Sequence, residues 1–268
     1  MSRDTESGRP IEPGMPLSLG LRLLDHQILG QEQEMVGNVD DVALEEQDGR
    51  LVAVGLLRGP GAWAQRQPGA LGRWGRAIWR RLDPREDPRP LVLPLDHVVA
   101  IGSAVHVDPW ADAFLAGSQG LELWLRHHVV GRIPGALGGD HPLGGELASR
   151  PRQDADLDLP ADAHLLSSLL GARVLRADGS DAGRVVEVRA VPVTRMSTRV
   201  GPLVVTSLLH GPHRLGGELG YREDPQMGPR LIGSALRWWH RHAVESSWDD
   251  VRSVDWAARQ VRLRDVRR

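Results

Sequence analysis

The chain repeats itself. The run "LVAVGLLRGPGAW", Leu51–Trp63, returns as "LVVTSLLHGPHRL", Leu203–Leu215. Both are apolar, end in Leu-Leu, and close with one basic or imidazole residue before Gly-Pro. A repeat in fixed order constrains a fold more than composition does, because each copy must build the same unit. The alignment extends outward. Gly37 of "MVGNVDDVAL" matches Gly183 of "DAGRVVEVRA" (183 − 37 = 146), and Val39/Val185 and Val42/Val188 keep that spacing. Upstream, "HQIL" lies over "ARVL" at the same spacing. Downstream, "LGRWGRAIWRRL" (Leu71–Leu82) answers "LIGSALRWWHRH" (Leu231–His242), and "PLDHVVAIG" (Pro94–Gly102) answers "SWDDVRSVD" (Ser247–Asp255). Gly59-Pro60 and Gly211-Pro212 stand further apart (211 − 59 = 152), so the second copy carries a longer hairpin around "PVTRMSTRVGP".

Each copy reads as β structure. Val39, Val42, Leu44 and Leu51–Leu57 form apolar runs broken by "EEQDG", and Asp48-Gly49 is a strong hairpin signal because glycine accepts positive φ. "LVLPLDHVVAIGSAVHV" predicts two more short strands, with turns at Leu93-Pro94 and Gly102. In "RQVRLRDV", Val261 and Leu263 alternate with Arg262 and Arg264, one face buried and one wet. Short strands at this spacing favour a small barrel or sandwich. Gly37 and Gly183 are expected where the backbone needs positive φ or a bulge. Asp41 and Glu187 are expected to pair with an Arg or to accept N–H groups of a turn.

Length supports two such units: 268 residues, against roughly 100–150 per domain. The chain has no cysteine, which excludes disulfides, thiolate catalysis and Cys-based metal centres and suits a reducing cytoplasm. The start, "MSRDTESGRPIEPGMP", lacks the features of a signal peptide, and no run of about 18 apolar residues predicts a membrane span. The net charge of −2 disfavours nucleic acid as a partner. Every basic residue is Arg, and there are 9 Trp against one Phe and one Tyr, as GC-rich coding would produce; an interface reading holds only where Arg and Trp cluster.

The order strand, G-x-V-x-D-V, strand, Asp-Gly, strand, Leu-Leu-x-Gly resembles the PRC-barrel domain, the family of the photosynthetic reaction-centre H subunit's cytoplasmic domain and of a ribosome-maturation factor's C-terminal domain. Gly37, Val39, Asp41 and Val42 carry it in the first copy; Gly183, Val185, Glu187 and Val188 carry it in the second, with Glu in place of Asp. The resemblance implies a small β-barrel that holds partners together without catalytic machinery. The expected fold is therefore mainly β with short helices: two tandem PRC-like barrels joined by a helical linker. The expected boundaries are a disordered tail over 1–17, barrel one over 18–108, a helical then flexible linker over 109–160, and barrel two over 161–268.

Two segments join Trp to Arg. On a helix, Leu71, Trp74, Ile78 and Leu82 form one stripe that Trp79 widens, with Arg76 and Arg80 beside it; Trp238 and Trp239 recur in the second copy. These stripes either cap their own barrels or dock on a partner. With Arg58 and His210 at the strand ends, Trp74, Trp79, Arg76, Arg80, Trp238 and Trp239 are the interaction candidates. Asp108-Pro109 predicts a helix start, and Leu121–Val129 a second helical pattern. The close histidine pairs, His210/His213, His240/His242 and His127/His128, do not make a metal site, which would need three or more converging ligands. No phosphate-binding loop, Rossmann glycine motif or Gly-x-Ser-x-Gly elbow is present. No catalytic residue, metal or cofactor is predicted. The expected role is a non-catalytic adaptor or scaffold for protein partners, cytoplasmic, with a homo-oligomer as a further option. The alternatives are a peripheral protein of anionic membrane surfaces, using the Trp-Arg helices, and an RNA- or ribosome-associated module.

Overall fold

The computed structural model describes residues 15–58, 92–118, 159–193, 199–211 and 243–265. Within them the chain is mainly β with a few short helices, and its main sheet curls as a half-barrel. The first half runs β1 (Leu17–Ser18), α1 (Leu19–Leu23), β2 (Gln27–Leu29), β3 (Met35–Asn38), β4 (Asp41–Gln47), β5 (Arg50–Leu57), β6 (Val92–Pro94), a 3-10 turn (Leu95–His97), β7 (Val98–Ile101), β8 (Val105–Val107) and α2 (Pro109–Ser118). The second half repeats that order: β9 (His164–Leu165), α3 (Leu166–Leu169), β10 (Arg173–Leu175), β11 (Asp181–Pro192), β12 (Leu203–Gly211), β13 (Val244–Ser247), a 3-10 turn (Trp248–Asp250), β14 (Val251–Asp255) and β15 (Gln260–Leu263). β11 is β3 and β4 fused into one strand.

Pairing repeats as closely as order does. β2 pairs parallel with β8 and antiparallel with β3; β10 does the same with β15 and β11. Even the bulges correspond, at Ala43/Leu44 and at Arg189/Ala190. So do the positive-φ positions: Asp25 and Gly171, Gln33 and Gly179, Gly37 and Gly183. Gly183, at φ 100°, is obligatory, since a Cβ there would lie 2.0 Å from the Gly211 carbonyl oxygen. Asp48 and Gly49 both have positive φ, the signature of the two-residue hairpin predicted from Asp-Gly. At α2 the Ala111 N–H donates to Asp108 Oδ1 at 2.9 Å, and Pro109 takes the first helical position, as expected.

The halves do not stand apart. β1 leaves its own half and pairs with β11 (Leu17↔Ala190, Ser18↔Arg189). β9 crosses in return to β4 (Leu165↔Ala43, His164↔Leu44). At the centre β5 meets β12 antiparallel, with Val52↔Val204 and Ala53↔Leu203. Val52 and Val204 are equivalent residues of the two copies, so this pair sits on a pseudo-two-fold axis. The result is one sheet, β14-β15-β10-β11-β12-β5-β4-β9, with β1, β6 and β13 attached, plus a separate sheet β3-β2-β8-β7. The second sheet separates because the first half breaks at Val39–Asp40, where β11 runs through.

One apolar cluster spans both halves, including Ile28 with Val174, Val42 with Val188, Leu56 with Leu208, and Val105 with Val261. A smaller cluster gathers Ala43, Leu57, Val92, Leu159 and Leu165 where β9 crosses to β4. Leu17, assigned to the tail by sequence, is buried in β1. "LVLPLDHVVAIGSAVHV" forms three strands rather than two, because Leu95–His97 makes a full 3-10 turn after Pro94. The helix expected over 121–129 and all but the last two residues of the linker expected over 135–160 lie outside the described residues; Leu159 is buried and Pro160 is described beside it.

Candidate interaction cleft

The two motif carboxylates serve the fold. Glu187 is buried; its Oε1 accepts the Gly20 N–H at 2.7 Å and its Oε2 the Leu21 N–H at 2.9 Å, both from the start of α1 in the other half. Its own Oε1 also accepts the Val188 N–H. Asp41 mirrors this. Oδ1 accepts the Ser167 N–H at 3.1 Å and the Val42 N–H at 2.8 Å, and Oδ2 accepts the Ser167 hydroxyl. Of the two roles expected from sequence, N–H acceptance holds, but besides the adjacent Val42 and Val188 N–H groups the donors belong to the opposite half's first helix, not to a local turn. Burial pushes the Glu187 pKa up, and the Val188, Gly20 and Leu21 N–H groups offset only part of that rise.

Of the interaction candidates, His210 and Arg58 lie within the described residues. His210 is buried: Nδ1 donates to the Ala182 carbonyl at 2.9 Å, and Nε2 lies within hydrogen-bond distance of the Ser246 hydroxyl, at 2.9 Å. The histidine ties β12 to β11 and β13. Arg58, its counterpart, is half-buried and lies over Gly37, where a Cβ would meet the guanidinium Nε at 1.9 Å. Trp74, Trp79, Arg76, Arg80, Trp238 and Trp239 lie outside the described residues.

An open cleft forms where β9 crosses to β4. It measures about 380 Å³ and is lined by Glu45, Glu46, Pro160, Asp162, His164 and Trp256. His164 stacks on Trp256 with ring centroids 3.9 Å apart and planes 13° apart. The Trp256 Nε1–H is buried with no protein acceptor among the described residues. Burial lowers the His164 pKa, while the negative charges of Glu46 and Asp162 pull it back only in part. The cleft thus presents three carboxylates beside a neutral aromatic pair. That lining suits a cation, above all a flat guanidinium that can stack and bond at once.

The pseudo-two-fold supplies an internal control. By strand register, Glu45 and Glu46 correspond to Val191 and Pro192, His164 to Leu17, and Asp162 to Met15. The same backbone corner is therefore built once from apolar residues and once from three acids and a histidine. The fold does not require the polar set.

A second polar cluster joins the halves. Asp108 accepts from His97 Nδ1 at 2.9 Å and pairs with Arg199 at 3.0 Å through the same oxygen, Oδ2. Burial opposes the charge on Asp108, but the Ala111 N–H, His97 and Arg199 hold its pKa below the ordinary carboxylate value. His97 stacks on Trp110 at 3.9 Å, and Trp110 on Phe114 at 5.3 Å. Arg199 arrives from the hairpin lengthened in the second copy, whose Val200 and Gly201 N–H groups donate to the Val98 and Leu95 carbonyls.

Sequence reading missed both clusters. The signal was present in the alignment of the copies: positions where one copy is apolar and the other charged mark what the shared fold leaves free. Among the described residues no group of three or more His, Asp or Glu is arranged to hold a metal ion, and no helix is long and apolar enough to cross a membrane. No family model matches the chain, and no curated protein matches it.

Proposed function

We propose that this chain is a non-catalytic protein-binding adaptor, built from two PRC-like barrels, which receives a basic side chain of its partner in the cleft lined by Glu45, Glu46, Asp162, His164 and Trp256. The observation that carries this reading is the asymmetry of the two corners. Register is preserved, yet Val191, Pro192, Met15 and Leu17 in one corner are replaced by Glu45, Glu46, Asp162 and His164 in the other. Carboxylates around an aromatic pair give charge complementarity and a rigid stacking surface, the usual anchors of an Arg-centred interface.

The test is affinity capture from native cells with the intact tagged chain and its Glu46→Arg variant, alongside NMR titration of the His164 ring with arginine amide. The reading expects partners retained by the parent chain and lost by the variant at unchanged melting temperature, with saturable His164 shifts. Identical partner sets and an unmoved His164 signal would overturn it. If the chain instead sediments with anionic vesicles in a salt-sensitive way, the adaptor reading gives way to a membrane-surface role.

A further inference from the structure

We propose that the contact between the halves is a selective pairing interface: each half fits the complementary half, of its own chain or of a second copy, and rejects a like half. The first strand and helix of each half lie on the other half, so neither first element has its partner at home. The central ladder cannot discriminate, because Val52 and Val204 are equivalent and a like pair would meet in the same register.

Discrimination resides at the ends. Gly20 and Ser167 both stand two residues beyond the exchanged strand. Glu187 approaches so closely that a Cβ on Gly20 would sit 3.0 Å from Oε1. Asp41, one methylene shorter, leaves room for the Ser167 side chain and binds its hydroxyl. A pair of second halves would press Ser167 against Glu187. A pair of first halves would hold Asp41 short of Gly20 with no hydroxyl to bond. The hairpins add a second filter. Only the longer one, through Arg199, Val200 and Gly201, reaches the opposite half's 3-10 turn and Asp108. The two-residue turn at Asp48-Gly49 is too short to do so. Such mismatches are penalties built against the wrong partner.

The experiment uses the full chain with a protease site placed within 119–158, cleaved after folding. The fragments should stay together at one-to-one stoichiometry through size exclusion. Two such preparations of different isotopic mass are then mixed in mild denaturant, diluted out of it, and weighed by native mass spectrometry. Exchange between preparations should yield first-with-second pairs only, with like pairs at least about ten-fold rarer, equivalent to roughly 1.4 kcal/mol. Fragments that part or precipitate on cleavage, or like pairs in comparable abundance, would overturn the proposal.

Discussion

The reciprocal carboxylate contacts allow one half to be rewritten in the style of the other. In Asp41→Glu the extra methylene enters a site with no exposure, already occupied by the Ser167 side chain, and overpacking of this kind costs about 1–3 kcal/mol. Ser167→Gly removes a hydroxyl bond to a carboxylate, about 1.5–3 kcal/mol, and adds the backbone freedom of glycine, about 0.5–1 kcal/mol. If the sites were independent, the double variant would lose about 3–7 kcal/mol. The Glu187–Gly20 contact predicts otherwise: the longer acid should reach into the space the serine leaves and accept helix N–H groups as Glu187 does. The double variant should recover about 2 kcal/mol or more of the summed loss. Urea unfolding of all four proteins, followed by circular dichroism with m-values checked for constancy, measures this. Additivity within about 0.5 kcal/mol would show that acid length and helix residue are not matched, and would remove the main support for selective pairing.

Gly183→Ala should cost about 3 kcal/mol or more, because its Cβ would strike the Gly211 carbonyl, whereas Gly49→Ala, with open space around it, should cost only the left-handed backbone penalty of about 1–2 kcal/mol; thermal melts compare them. His164 should titrate below its ordinary 6.5 by NMR, and lower still in Glu46→Gln, since Glu46 raises it. Because the folded value is depressed, the contribution of His164 to stability is present above 6.5 and lost as pH falls toward the folded value; a Tm difference between the parent chain and His164→Gln that grows in favour of the parent on acidification in that window would contradict this. Glu187 has the opposite sign. Its raised folded pKa means stability declines as pH climbs from 4.5 through the folded value. Glu187→Gln should abolish that slope while leaving the Leu21 N–H unmatched at a cost of about 1–3 kcal/mol, both read from urea midpoints across pH.

Local structure was legible where one residue type has one physical use. Asp48-Gly49 announced its hairpin, Asp108-Pro109 its helix, and Gly37 and Gly183 their positive φ, because these are backbone demands that few residues meet. The repeat fixed the element order. What it could not disclose was which half each element packs against. β1 and β9 are two residues long, and a two-residue strand fits its own β4 or β11 as well as its neighbour's on pattern alone. Asp41 and Glu187 were recognisable as N–H acceptors, but the donors that join the halves, Ser167 and Gly20, lie more than a hundred residues away. The cleft was hidden for a related reason. Glu45, Glu46, Asp162, His164 and Trp256 come from three separate stretches with no motif linking them, and only the crossing of β9 brings them to one place.

That crossing also explains how one chain can hold a site that a symmetric pair could not. Two identical halves on a true two-fold axis would carry two identical corners, and any change would fall on both at once. In a single chain the corners are encoded separately. The corner of Leu17, Val191 and Pro192 can spend its residues on apolar packing, with Leu17 buried against the second half. The opposite corner can then replace them with His164, Glu45 and Glu46, and expose a charged cleft, without losing the strand register that both corners share. Register is held instead by the axis ladder, the matched bulges and the two capping carboxylates, none of which uses a side chain that lines the cleft. The division follows from the geometry: the residues that the copies hold in common keep the halves together, and those in which they differ are released for binding.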